Sequence, residues 1–231
     1  MKADLIIVWP TNCDYPLFRS FLRTNRDKFA RVIISFSEVP HGDDFHMFVT
    51  ETLKEDACLF AFTPVSSPGD WRNNAVNFAL LMSDAEWVWF MEQDFFVLHE
   101  KFFDQVDIMS EYNDVIGIKE DERLHPCCLL MKREIIEKTS KNFGIVPNKL
   151  DHFGIIQKEL EEMQDIKIDI ISSSYYHHMA GLSHNYTLAH DGKNIGYHPD
   201  EFREYMRQCL NIKEVPLDMR FVRVAKQIVY S

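Results

Sequence analysis

Short hydrophobic runs alternate along the chain with segments whose hydrophobic positions recur at helical spacing. The runs predict strands at Asp4–Trp9, Arg31–Phe36, Ala57–Phe62, Trp87–Met91, Val115–Ile118, Cys127–Met131 and Ile166–Ile171. The helical spacing predicts helices at Tyr15–Phe29, Phe45–Leu53, Trp71–Met82, Lys132–Phe143 and Leu150–Met163. Because strands and helices alternate, we expect an α/β fold with a mostly parallel central sheet flanked by helices. Such a sheet has a nucleotide-sized crevice at its carboxyl edge.

One run leads directly into acidic residues. Trp87–Met91 is a row of five apolar or aromatic residues, and Glu92, Gln93 and Asp94 follow it. A continuous apolar run of this kind is typical of a central strand covered on both faces. Since ligands bind at the carboxyl edge of open α/β sheets, this E-x-D is placed to hold a divalent cation against a phosphate. From these residues alone, an acidic loop cap is the alternative.

The helix before this strand begins with residues suited to an anion. Asp70 is a candidate N-cap, and Arg72 and Asn73 lie in the first turn, where unpaired backbone N–H groups and the helix dipole favour negative charge. An arginine at that position suits a diphosphate. The alternative is an exposed arginine beside a polar helix start.

Composition limits the classes of function. With 231 residues the chain is long enough for one substantial domain, and no stretch approaches the roughly 18 apolar residues of a membrane span. The start MKADLIIVWP lacks the pattern of a signal peptide, and the five cysteines show no C-x-x-C spacing, so we expect a cytoplasmic protein without a disulfide framework or a cysteine zinc site. The net charge of −11 argues against a broad nucleic-acid-binding face.

Three motifs occur in order along the predicted elements. They are Arg72-Asn73-Asn74-Ala75 with Ala79, then Glu92-Gln93-Asp94 after WVWFM, and later His178-Met179-Ala180-Gly181-Leu182-Ser183. Together with Asp151 at the start of a predicted helix, this order resembles the nucleotide-sugar-dependent glycosyltransferases of the Rossmann-like GT-A fold. The likeness is greatest to the large inverting family that includes many bacterial polysaccharide enzymes. The resemblance covers about Asp4–Ser183.

The resemblance implies roles for several residues. Asp94 corresponds to the metal-binding aspartate of a D-x-D motif, and Glu92 replaces its first carboxylate. His178 corresponds to a histidine that ligates the metal or contacts the diphosphate. Asp151 corresponds to the general base that takes the acceptor proton, although the glutamate that precedes it in the family is absent. The implied cofactor is Mn²⁺ or Mg²⁺, the favoured donor is a UDP-sugar, and the favoured acceptor is a saccharide hydroxyl.

Chemistry supports this assignment and leaves some choices open. A cation held by carboxylates stabilises the charge that builds on a departing diphosphate, and an imidazole ligand favours Mn²⁺ over Mg²⁺. His177 and His184 are alternatives to His178 as the ligand, and Asp151 is also a suitable helix N-cap. The nucleoside is expected over the first strand ends. The exposed candidates there are Pro10, Thr11 and Glu38, whose carboxylate is suited to accept ribose hydroxyls.

We divide the chain into a transferase domain at 1–198, with a donor half at about 1–98 and an acceptor half at 99–198, and a C-terminal extension at 199–231. The extension contains a helix-like EFREYMRQCL and a strand-like RFVRVAKQIVY. Two other functions fit the same residues: a nucleotide-sugar-binding module without turnover, and a glycosyltransferase acting on modified nucleic-acid bases, which the acidic charge disfavours. A nucleotidyltransferase lacks support because no Gly-rich, basic loop follows the first strand.

Overall fold

The computed structural model describes most of the predicted core. The described residues are 2–8, 25–36, 58–62, 71–92, 95–97, 101–120, 123–144, 146, 153–178 and 219–230, with single positions at 200, 203, 204, 207 and 211. Most of the helix predicted at Tyr15–Phe29 and all of that at Phe45–Leu53 lie outside these residues.

A seven-stranded sheet forms the centre of the molecule, and a two-stranded sheet lies beside it. The strands are β1 Ala3–Val8, β2 Phe29–Phe36, β3 Cys58–Phe62, β4 Trp87–Met91, β5 Phe95–Val97, β6 Val115–Glu120, β7 Arg123–Lys132, β8 Ile168–Ile170 and β9 Tyr176–His178. In the large sheet the order is β3-β2-β1-β4-β7-β6-β8, and β5 pairs with β9 in the small one.

The strand Trp87–Met91 is central, as predicted. It runs parallel to β1 and antiparallel to β7, and all five of its residues are buried. The strands β3, β2, β1 and β4 are mutually parallel, as are β6 and β8, so antiparallel pairing is confined to β7 within this sheet. The predicted α/β class with a mostly parallel sheet is therefore confirmed.

Helices cover both faces of the sheet. Those that pack against it are α1 Trp71–Leu81, α2 Lys101–Ser110, α3 Arg133–Lys138 and α4 Gly154–Glu162, and a further helix, α5 Met219–Tyr230, lies later in the chain. The residues of β4 alternate between the faces: Trp89 packs with Phe102 and Phe103 of α2, whereas Phe90 joins the cluster that contains buried residues of α1, α3 and α4. No helix in the described part is long and apolar enough to cross a membrane.

The C-terminal segment corrects one prediction. RFVRVAKQIVY, interpreted above as strand-like, lies within helix α5. Its β-branched residues indicated a strand, but Val222, Ala225 and Val229 recur at helical spacing, and Ala225 is completely buried. The described positions between 200 and 211 are helical, in agreement with the helix predicted for EFREYMRQCL.

Several element ends also differ from prediction. Phe29 belongs to β2, after a 3₁₀ turn at Arg26–Lys28, and the helix predicted at Lys132–Phe143 ends at Lys138. Helix α4 begins only at Gly154 because Phe153 has a φ of 63°, which a right-handed helix excludes. Strands β6 and β7 extend as far as the polar pair Glu120 and Arg123. Hydrophobic runs in the sequence do not indicate such polar strand ends.

Candidate functional site

The carboxyl end of β4 positions Glu92. Its backbone N–H donates to Cys127 O at 3.1 Å on the neighbouring strand β7, and its carbonyl accepts from Phe95 N–H at 3.4 Å. These two bonds end the strand and turn the chain into β5. The Glu92 side chain is 24% exposed, so its carboxylate lies at the sheet edge and is partly desolvated.

His178 reaches the same place from a distant part of the chain. It pairs with Phe95 across the small β5–β9 sheet, which returns the chain to the end of β4. His178 Nε2 lies 3.9 Å from Glu92 Oε2, and the imidazole is only 3% exposed. Two ligands of one tetrahedral metal ion, each about 2.0–2.2 Å from it, lie roughly 3.3–3.6 Å apart, so a small side-chain movement brings this pair to that separation. The pair therefore fits a shared divalent cation as well as a direct ion pair.

Two further residues lie against His178 that the sequence reasoning did not select. The rings of His125 and His178 are 4.8 Å apart between centroids. His125, Cys127 and His178 each offer one ligand atom, and these atoms lie within 4.8 Å of one another. The H-P-C spacing of His125 and Cys127 is a sequence signal for these residues, and a test for C-x-x-C spacing does not detect it.

The neighbouring Cys128 has a different environment. It is fully buried, and the indole Nε1 of Trp89 donates to its Sγ at 3.2 Å. Burial raises the pKa of the Cys128 thiol, so this side chain remains protonated and packs as part of the core. Of the two adjacent cysteines, only Cys127 belongs to the His125–Cys127–His178 group.

Asn73 lies in the first turn of α1, where its side chain makes structural contacts. Its Oδ1 accepts from Phe143 N–H at 2.8 Å and from Asn77 Nδ2 at 3.1 Å. These bonds attach the start of α1 to the segment that follows α3. Arg72 is also in the first turn by backbone position, but its side chain is outside the described part.

The other predicted site residues lie outside the described residues. They are Pro10, Thr11, Glu38, Asp94 and Asp151. In sequence, Pro10 and Thr11 follow β1, Glu38 follows β2, and Asp94 stands between Glu92 and β5. Their roles stay predictions, as does the division into donor half, acceptor half and extension.

No protein-family model matches the chain, and no curated protein matches it. Solved structures do. The chain is similar to the mannosyltransferase PcManGT from Pyrobaculum calidifontis, in a complex with GDP-Man and Mn²⁺, with a TM-score of 0.58 and 14% identity, covering 98% of this chain and 69% of that one. The fold is therefore GT-A.

Two other structures share the GT-A fold with this chain. One is S. aureus TarS 1–349 in complex with UDP-GlcNAc, with a TM-score of 0.54, 17% identity, and coverage of 99% of this chain and 70% of that one. The other is glucosyl-3-phosphoglycerate synthase from Mycobacterium tuberculosis with Mn²⁺, UDP and phosphoglyceric acid. Its TM-score is 0.52 at 11% identity, covering 83% of this chain and 79% of that one. The expected fold is confirmed.

Proposed function

We propose that the chain is a glycosyltransferase that uses a divalent cation to move a sugar from a nucleoside diphosphate donor to a hydroxyl group. The observation that carries the proposal is the meeting of Glu92 and His178, 3.9 Å apart at the carboxyl end of the central strand of a GT-A fold. In open α/β sheets this is the edge where ligands bind. Mn²⁺ and Mg²⁺ are the candidate cations.

Glycosyl transfer requires that negative charge building on the leaving diphosphate be stabilised. A cation bound there supplies that stabilisation. Glu92, Asp94 and His178 would hold the ion. Backbone hydrogen bonds join Glu92 to Phe95, and Phe95 pairs with His178 across the small sheet, so the backbone limits the separation of the two side chains and favours a preorganised site.

The remaining assignments complete the proposal. Asp151 acts as the base for the acceptor hydroxyl in an inverting reaction. Arg72 and Asn73, at the start of α1, face the donor diphosphate, and the nucleoside lies over Pro10, Thr11 and Glu38. A UDP-sugar is the favoured donor, and a saccharide hydroxyl in the cytoplasm is the favoured acceptor.

A panel of nucleotide sugars tests the donor assignment by thermal shift, with and without Mn²⁺. A ligand that binds the folded state alone stabilises it by about 2.7 kcal/mol at 100 times its Kd. We expect one class of nucleotide sugar to raise Tm, and Mn²⁺ to increase that shift. If no nucleotide sugar shifts Tm and none is hydrolysed or transferred, the proposal is wrong.

Variants separate turnover from binding. Asp94→Ala should abolish transfer or donor hydrolysis, whereas Glu92→Ala should only weaken it, because one metal carboxylate remains. Glu111→Ala, at an exposed position after α2, is the matched control and should leave the rate unchanged. If the unmodified protein binds the donor but neither hydrolyses nor transfers it, a binding module is supported instead. The glutamate in place of the first aspartate of the D-x-D motif is compatible with that function.

A further inference from the structure

We propose that His125, Cys127 and His178 form a binding site for a thiophilic divalent cation of the Zn²⁺ class. The inference deepens the proposed function, because the site shares His178 and the adjacent Glu92 with the proposed cation site, but binding of a metal ion by His125, Cys127 and His178 does not depend on sugar transfer. It stands on three described residues from two strands whose ligand atoms lie within 4.8 Å of one another. Cysteine sulfur and histidine nitrogen are the ligand types from which most protein zinc sites are built.

An irregularity in the pairing of β6 and β7 lies beside this donor set. Gly117 of β6 pairs with Leu129, yet the next residue, Ile118, pairs with His125, so the register shifts at this point. A bulge of this kind redirects side chains and is frequent beside functional sites. Cys127 and Cys128 are adjacent, but both join the same hydrophobic cluster, whereas regular strand residues would alternate. His125 and Cys127, two positions apart on β7, contact His178 of β9 beside this shift.

The distances fit a metal after small movements. Zinc binds sulfur at about 2.3 Å and nitrogen at about 2.0–2.1 Å, so tetrahedral donor atoms lie roughly 3.3–3.6 Å apart. Closing from 4.8 Å requires side-chain shifts of about 1 Å. Cys127 N–H donates to His125 Nδ1 at 3.3 Å. Ligation through Nδ1 would use this acceptor, and ligation through Nε2 would leave the ring proton on Nδ1. In either case a metal bond would replace this long hydrogen bond.

A fourth ligand is adjacent. Glu92 Oε2 lies 3.9 Å from His178 Nε2 and would complete an N₂SO set. All four residues are buried or half-buried, so water competes weakly for the ion. An oxygen-only site suits Mg²⁺ or Mn²⁺, whereas thiolate and imidazole favour Zn²⁺ and Co²⁺. We therefore expect Zn²⁺ to bind on the order of 100-fold or more tightly than Mn²⁺.

Cobalt absorption spectroscopy provides the test, because thiolate ligation gives a near-ultraviolet charge-transfer band. The metal-free protein is titrated with Co²⁺, and Zn²⁺ and Mn²⁺ affinities are then measured by displacement. The unmodified protein should show the band, and Zn²⁺ should abolish it. Cys127→Ser should remove the band and weaken Zn²⁺ binding at least about 10-fold, and His125→Asn should weaken Zn²⁺ binding by a similar factor.

Cys128→Ser is the matched control. It removes the adjacent thiol but leaves an oxygen to accept from the Trp89 indole, so the cobalt band should be retained. Circular dichroism and thermal unfolding of each metal-free variant establish that it is folded before titration. A folded Cys127→Ser variant that keeps the band, or an unmodified protein that binds Mn²⁺ as tightly as Zn²⁺, would overturn the proposal.

The metal titration is independent of sugar transfer. A cobalt–thiolate band in a protein that no nucleotide sugar stabilises would support the metal site and contradict the proposed function. Transfer supported by Mn²⁺, with no cobalt–thiolate band, would support the function and contradict the His125–Cys127–His178 site.

Discussion

At the residue scale, Asn73 has a structural role and a proposed role in donor binding. Its Oδ1 accepts from Phe143 N–H and Asn77 Nδ2, and we also propose that it contacts the donor diphosphate from the first turn of α1. Asn73→Ala leaves the partly buried Phe143 N–H without this acceptor. We expect the free energy of unfolding to fall by about 1–3 kcal/mol, measured by chemical denaturation.

The Asn73→Asp variant separates the two roles. Its carboxylate can still accept both hydrogen bonds, and an acidic residue in the first turn of a helix is favourable, so stability should be retained. If the Asn73 amide also contacts the diphosphate, the added negative charge should raise the KM for the donor at unchanged stability. A donor KM equal to that of the unmodified protein would limit Asn73 to the structural role.

The sequence pattern selects two of the residues that the structure brings together at the end of β4 and does not select two others, for a physical reason. Glu92 and His178 were identifiable because each belongs to a local pattern, and the structure brings them together. His125 and Cys127 join this group through their contacts with His178 of β9, beside the register shift between β6 and β7. Contacts between residues that are distant in sequence are only weakly indicated by the local spacing of residue types.

At the element scale, Asp114 joins three strands. Its Oδ1 accepts from Lys132 Nζ at 2.7 Å at the end of β7, and its Oδ2 accepts from Lys167 N–H at 3.0 Å just before β8, while Asp114 itself precedes β6. The Lys132 hydrogen bond, with help from the Lys167 backbone, holds the pKa of Asp114 below its ordinary value.

This lowered pKa gives a pH dependence of defined sign. A carboxylate with a folded pKa below its unfolded pKa contributes its full stabilisation above the unfolded value, and that contribution is lost as pH falls through the folded value. Asp114→Asn should reduce the free energy of unfolding at pH 7 by about 1 kcal/mol, and the difference should shrink in acid.

Denaturation curves over a series of pH values provide the measurement. The exposed Asp165→Asn variant is the control and should follow the unmodified protein at every pH. A stability difference for Asp114→Asn that is the same at neutral and acidic pH would contradict the linkage.

Helices and strands differ in how well the sequence pattern predicts them. Strand β4 and helix α1 were predicted within one residue because long apolar runs and a regular buried stripe dominate their sequences. Helix α5 was misread because Val222, Val224, Ile228 and Val229 give it a β-branched composition. Its helical period was the better indicator.

At the scale of the whole molecule, the two edges of the sheet have different roles. The proposed metal and donor sites lie at the carboxyl edge of the parallel strands. At the opposite edge, Asp4 is completely buried and accepts from Arg31 Nη2 at 2.6 Å and from Ser83 Oγ at 2.7 Å, and Arg133 donates to Ser83 Oγ at 2.6 Å. This network connects β1, β2, the turn before β4 and the start of α3.

We therefore expect substitutions at the edge that contains Asp4 to change stability without changing ligand binding at the carboxyl edge. Asp4→Asn removes a buried charge that Arg31 and Ser83 satisfy, so the free energy of unfolding should fall by about 3 kcal/mol in chemical denaturation. Asp84→Asn is the matched control: Asp84 also pairs with Arg31 but is 90% exposed, and its loss should change stability little.

Since neither substitution reaches the carboxyl edge, the folded Asp4→Asn variant should bind Zn²⁺ and nucleotide sugar with unchanged Kd. A large loss of either affinity in the folded variant would show that the two edges are energetically coupled through β1 and β4.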